Sequence, residues 1–302
     1  MGSASLRRAY LALGAVCFFW GTTYLGIRVA LESFPPATLV AARFLLSGAI
    51  LLTAAKTRGS VFPKGRALWL TALFGFLILG IGNSALTVAE LWIPSGLAAL
   101  FITTGPFWMV GVEAALPGGE RLHLPTVAAM VAGLGGAALL VGPGVLTEGL
   151  GNRVLHGFLV LQVGCAAWST GSLLQRRTIT ESHPIVNAAV QQFAAGLAFV
   201  PIAFLVPHEP VRWSWSGVTA LLYLVTFGSI VGYSAFVYAL ERLPVALVTV
   251  YNYVNPVVAV ILGWLFYREP FGKREAIAMG IIFVSVAAVK WTTAGARRRR
   301  PA

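Results

Sequence analysis

One pattern written twice constrains this 302-residue chain more than any other feature. Gly82, Ser84, Ala85, Pro94 and Pro106 return 150 residues later as Gly232, Ser234, Ala235, Pro244 and Pro256. Cys17 and Trp20 return as Cys165 and Trp168 at an offset of 148, and Pro35 and Phe44 as Pro184 and Phe193 at 149. The repeat unit is half the chain, so the fold is built from two copies of one motif rather than from a stack of short repeats.

What each copy contains follows from hydropathy. The chain is 58% hydrophobic and 11% charged, with a mean hydropathy of +0.81. Soluble domains carry roughly 25% charged residues, so this is the composition of a polytopic membrane protein. A helix needs about 20 apolar residues to cross a bilayer. Ten stretches qualify, near 9–31, 36–55, 66–89, 94–116, 124–142, 156–176, 184–206, 214–240, 244–267 and 272–292. The expected fold is therefore all-α, with ten transmembrane helices in two five-helix repeats at 1–142 and 156–302. A glycine-rich, polar linker joins them at 143–155, and a basic tail closes the chain. The first stretch is too long for a signal-peptide core and is kept as a span.

An odd number of spans per copy makes the second copy enter the membrane from the opposite face. The repeats are thus inverted, related by a pseudo-two-fold axis in the membrane plane. Ten spans put both termini on one side. That side collects fifteen basic residues (Arg7, Arg8, Lys56, Arg58, Lys64, Arg66, Arg121, Arg176, Arg177, Arg242, Lys290 and Arg297 to Arg300), and the other collects six. The bias predicts cytoplasmic termini. The net charge of +12 is then a topology signal rather than a nucleic-acid footprint, and no nucleic-acid partner is expected. Cys17 and Cys165 read as small core residues, not as a disulfide.

Polar and conformationally special residues inside such spans mark candidate chemistry. Pro106 and Pro256 each lie twelve residues past the proline opening their span, about 18 Å in, which is close to the midplane. Each removes a backbone hydrogen bond. With Thr103, Thr104, Asn252, Tyr253 and Asn255 beside them, they read either as static kinks or as the wall and hinge of a cavity. Trp20 and Trp168 sit mid-span and are followed by small polar residues, among them Thr23, so each indole lines a hydroxylated pocket or simply packs. Asn83 and Tyr233 occupy matching Gly-X-Ser frames, as packing glue or as ligand contacts. Arg43 lies about 10 Å into the second span, where a guanidinium costs ~2–3 kcal/mol and must be paired or face water. Glu90, at the end of the third span, is the candidate partner. The alternatives are a structural Arg43–Glu90 bridge, or an Arg43 that holds a substrate carboxylate with Glu90 as gate or proton site.

No GxxxxGK[ST] loop occurs, no histidine stands in metal-ligand spacing, and no acid/base dyad assembles; neither cofactor nor metal is expected. The segments Trp20-Gly21-Thr22-Thr23-Tyr24, Arg43-Phe44, Gly82-Asn83, Thr87-Val88-Ala89-Glu90, Pro94-Ser95-Gly96 and Tyr253-Val254-Asn255-Pro256 together resemble the EamA-type permeases of the drug/metabolite transporter superfamily. The resemblance spans roughly residues 10–292. It implies a basket-shaped inner-membrane carrier that alternates access, often exporting amino acids or related metabolites. Aromatic amino-acid exporters of this family line a central cavity from both halves, and Trp20, Asn83, Trp108 and Trp168 are the nearest positional candidates here.

The expected function is export of small amphipathic solutes. Trp20 and Trp168 would supply stacking surface, Asn83, Tyr233 and Asn255 hydrogen bonds, and Arg43 a carboxylate contact, with Pro106 and Pro256 as hinges. A lipid-linked flippase is the alternative, and a membrane-embedded lipid-modifying enzyme a weaker one. The expected partners are a small solute and membrane lipids, with the chain acting as a monomer.

Overall fold

The computed structural model describes residues 3–93, 95–119, 123–146, 152–178, 180–206, 209–267 and 272–298. Within them the chain forms α1 (Ser3–Leu31), α2 (Pro36–Thr57), α3 (Gly65–Ala89), α4 in two pieces (Ser95–Ile102 and Gly105–Ala115) and α5 (Leu124–Leu146). The second half forms α6 (Asn152–Arg177), α7 (Pro184–Leu205), α8 (Trp215–Arg242), α9 in two pieces (Val245–Val248 and Tyr251–Tyr267) and α10 (Lys273–Arg298). Seven described helices are long and apolar enough to cross a bilayer and three shorter apolar ones complete the set. Helices α5 and α6 run into the expected linker from both ends, leaving 147–151 outside the described residues, as are Pro94, Arg121, Arg268, Arg299 and Arg300.

Local chemistry sets the helix starts. Pro36 and Pro184 occupy first turns, where the missing N–H has no intrahelical partner to lose. Ser214 caps α8 by accepting from Gly217 N at 3.0 Å. Gly59 ends α2 with φ +65°, a conformation glycine adopts without strain.

Packing follows the duplication. Helix α1 packs on α8 and α9, and its counterpart α6 packs on α3 and α4; α2 packs on α7, and α5 on α10. Each of these contacts is met by its equivalent, which is the signature of a pseudo-two-fold. Glycine permits the central approach of α2 to α7. A Cβ on Gly48 would sit 2.5 Å from Phe193 N, and one on Gly196 would sit 2.5 Å from Leu45 N. The outward faces are apolar, and Trp215 and Trp291, each 85% exposed, lie near span ends as interfacial tryptophans do.

Two features go beyond the sequence expectation. Helices α3 and α8 each contain a π-helical segment, Phe76–Asn83 and Leu224–Tyr233, at equivalent places. Such segments are rare and tend to occur at functional sites. The breaks in α4 and α9 are not equivalent. In α4 the chain turns at Thr103–Thr104 and resumes with Pro106 in the next first turn. In α9 the turn falls at Thr249–Val250, and Pro256 lies inside the continuous helix Tyr251–Tyr267. At Pro256 the helix runs on, and Val250 O accepts from Tyr253 N and Val254 N, placing the turn of α9 six residues before that proline.

Candidate functional site

The two π segments face each other across the molecule, and Arg43 of α2 bridges them. Its Nε donates to Ser229 Oγ at 2.8 Å and its Nη1 to Asn83 Oδ1 at 3.3 Å. Gly228 makes room, because a Cβ there would stand 2.8 Å from Arg43 Nη2. Arg43 is 4% exposed, and no carboxylate among the described residues forms an ion pair with it. The Arg43–Glu90 bridge is therefore a correction. Glu90 caps the end of α3 beside Ala89 and Ile93, in the apolar layer on the linker side. Both its oxygens lack hydrogen-bond partners, and Arg28 is the charge that acts on it. Burial holds this carboxyl well above the ordinary range, against the pull of Arg28.

Arg43 opens on a central cavity of about 80 Å³. Trp20, Thr23, Asn83, Trp168, Asn252 and Asn255 line it, as do Tyr24, Ser169 and Tyr251. Trp20 and Trp168 meet edge to face with ring centroids 5.3 Å apart, and Trp20 meets Tyr251 at 5.0 Å. Each tryptophan rests on the glycine of the opposite half. A Cβ on Gly82 would lie 3.1 Å from Trp168, and one on Gly232 would lie 2.5 Å from Trp20 Nε1. The pair differs in its polar edge. Trp20 Nε1 donates to Gly228 O at 2.9 Å, whereas Trp168 Nε1 has no partner. Asn252 Oδ1 is likewise unpartnered. The Asn255 amide lies against Tyr251 O at 2.9 Å and Cys17 O at 3.1 Å, so its nitrogen is the atom facing them, tying α9 to α1.

Apolar layers bracket this cavity. The aromatic group continues through Leu13, Val16, Leu240, Leu247 and Val248 on the side of the termini. Tyr24, Ile27, Leu39, Leu86 and Leu224 lie together on the linker side.

Three expected site residues lie elsewhere. Trp108 is 39% exposed and donates to Gln162 Oε1 at 2.9 Å. It faces a separate surface groove, because on the second piece of α4 it is Gly105 and Met109 that turn to the cavity, about 100° round the helix from Trp108 to Met109. Tyr233 is buried behind Trp168 and donates to Gln191 Oε1 at 2.8 Å. Glu90 is outside the cavity lining as described. Pro106 is buried next to Gly105, and a Cβ on Gly105 would lie 3.1 Å from Asn252 Nδ2, so the two broken spans meet at the cavity. The sequence reading missed Tyr251 as a lining residue. Its signal was the 251, 252, 255 spacing, which sets three polar side chains on one helical face.

Comparison with known proteins decides the class of this architecture. The profile of the EamA-like transporter family matches residues 7–142 and again 155–291. The chain belongs to this family. It is 37% identical over 281 residues, 92% of this chain and 89% of the relative, to the protein named uncharacterized inner membrane transporter YedA of Escherichia coli. It is 26% identical over 297 residues, 97% of both chains, to a protein of Streptantibioticus cattleyicolor named probable terminal-alkyne amino-acid exporter. A crystal structure at 23% identity superposes with a TM-score of 0.77, covering 94% of this chain and 98% of the other, which shows the shared fold. This EamA-like chain is thus a membrane transporter, and its central cavity is lined by residues of both halves.

Proposed function

We propose that this transporter exports amino acids or related small amphipathic metabolites across the bacterial inner membrane by alternating access, with both termini in the cytoplasm. The observation that carries the reading is the guanidinium of Arg43, buried and, among the described residues, without a carboxylate partner and hydrogen-bonded only to the neutral oxygens of Ser229 and Asn83. A buried charge without a counter-ion is costly, and a solute carboxylate entering the cavity supplies one. The apolar part of the solute lies against Trp20, Trp168 and Tyr251, while Trp168 Nε1 and Asn252 Oδ1 offer a free donor and a free acceptor. The fifteen-to-six distribution of basic residues supports the orientation, and the name of the Streptantibioticus relative supports the substrate class. The interruptions in α4 and α9, with Pro106 at one of them, let the halves rock about the cavity, and Glu90 serves the linker-side closure.

Thermal stabilisation of the purified protein by each amino acid in turn tests this, because a ligand that binds the folded state raises apparent stability. Flux of any hit into proteoliposomes follows. Trp168→Ala is expected to weaken binding more than it lowers the melting temperature; the reverse order would make Trp168 a packing residue. If no soluble amino acid stabilises the protein, the lipid-linked reading gains. One observation favours that alternative: a groove of about 630 Å³ on the outer face between α4, α5 and α6, lined by Phe107, Trp108, Val131 and Leu134 over Thr104 and Gln162.

A further inference from the structure

A second cavity, of about 240 Å³, lies on the terminal side between α3, α6, α7 and α8, clear of the central cavity. Thr71, Gln175, Arg176, Asn187, Gln191 and Glu241 are on its wall, together with hydroxyls of the α6–α7 connection including Ser182. Three of these residues are more than nine-tenths buried and carry a polar atom with no partner: Gln175 Nε2, Ser182 Oγ and Asn187 Oδ1. Buried polar atoms are almost always hydrogen-bonded, and each left unmade costs about 1–3 kcal/mol. Three in one wall therefore call for an occupant that both donates and accepts.

The duplication supplies an internal control. The equivalent place on the linker side has Leu221 where this one has Thr71, Ile27 for Gln175 and Ala42 for Gln191. Those residues pack in a continuous apolar layer. The same backbone frame is apolar at these three positions at one end and polar at the other, while Arg28, Ser33 and Thr38 stand where the cavity has Arg176, Ser182 and Asn187, so it is Thr71, Gln175 and Gln191 that set this end apart. The cavity is also wired to the central site. Gln191 Nε2 donates to Gln175 Oε1 at 2.9 Å and Gln191 Oε1 accepts from Tyr233, whose ring lies 6.3 Å from that of Trp168.

We propose that this cavity is a second solute-binding site, a station on the terminal side that takes a small zwitterion by its polar end. Arg176 and Glu241, the latter paired with Arg242 at 3.2 Å, place charge of both signs in the wall, and the amides and hydroxyls bind its donors and acceptors. The apolar part stays out, since Phe74 is the one aromatic ring there. The transport reading enters only through the choice of amino acids as probes.

The test places a cysteine in the full-length protein in nanodiscs, Asn187→Cys in one variant and Ser182→Cys in another. A small charged methanethiosulfonate is added, with adducts located by peptide mass spectrometry. Each proteinogenic amino acid is supplied in turn at millimolar concentration. The expected result is that both positions react and that at least one amino acid slows reaction, by about tenfold at ten times its Kd. That protection persists with Arg43→Ala and Trp168→Ala added, and is lost with Gln175→Leu in the Ser182→Cys variant. The proposal is overturned if neither position reacts, if no amino acid protects, or if protection disappears with the central-cavity substitutions. Protection without flux would instead remove the transport reading and leave the site standing.

Discussion

Arg43 and Gln192 occupy equivalent positions in the two halves and live in opposite surroundings. Arg43 has neutral oxygens on two sides and a cavity on the third. Gln192 is fully buried, and neither atom of its amide finds a partner. The duplication has preserved the backbone frame and the α2–α7 contact while the chemistry at the paired position diverged. A pseudo-symmetric carrier needs a symmetric scaffold to alternate, but it recognises its solute with an asymmetric set of groups. The largest expected effect tests that division. Arg43→Ala should cut flux by roughly 10- to 150-fold, the equivalent of losing a hydrogen-bonded charged contact of about 1.5–3 kcal/mol, with the protein still inserted. Gln192→Leu removes two unpartnered atoms and should raise the melting temperature while changing flux less than about threefold. Equal loss of flux in both variants would mean that recognition is shared between the halves.

The glycines beneath the tryptophans give the next contrast. Gly232→Ala forces a Cβ to 2.5 Å from Trp20 Nε1, whereas Gly82→Ala approaches Trp168 only to 3.1 Å. Overpacking costs about 1–3 kcal/mol, so Gly232→Ala should lower the melting temperature clearly more than Gly82→Ala. The tryptophans themselves should differ less. Trp20→Phe loses the bond to Gly228 O, about 1 kcal/mol, and Trp168→Phe loses none. Matched melting temperatures for the two phenylalanine variants would deny the asymmetry of their polar edges.

How much of this could be read in the sequence follows from what each signal depends on. The spans, their number and their pairing were legible because hydropathy and the Gly, Pro and Trp offsets are one-dimensional. Trp20, Thr23, Arg43, Asn83, Trp168, Asn252 and Asn255 were legible as polar or special groups at depth, and the structure gathers them round one cavity. The π segments of α3 and α8 were not legible, since they are a matter of backbone hydrogen-bond register, which hydropathy does not record. Arg43 was matched to Glu90 by depth alone, but the direction of its side chain is set by Gly228 and Ser229, nearly two hundred residues away. Trp108 was matched by position along α4, which does not fix the rotation of a helix that restarts at Gly105.

The two prolines set the finest contrast. Pro106 stands in a first turn, where an N–H would have no helical partner, so Pro106→Ala leaves the backbone hydrogen bonds as they are. Pro256 stands six residues into Tyr251–Tyr267, where an alanine N–H would reach the Asn252 carbonyl and close a bond the native helix lacks. That bond stiffens α9 beside Asn252 and Asn255 in the cavity wall. Pro256→Ala should therefore slow exchange between access states, read by single-molecule distance measurements between labels on α4 and α9, while Pro106→Ala leaves the rate unchanged. If Pro106→Ala is the slower variant, the hinge lies at the Thr103–Thr104 turn. The proline inside α9 is then only a packing feature.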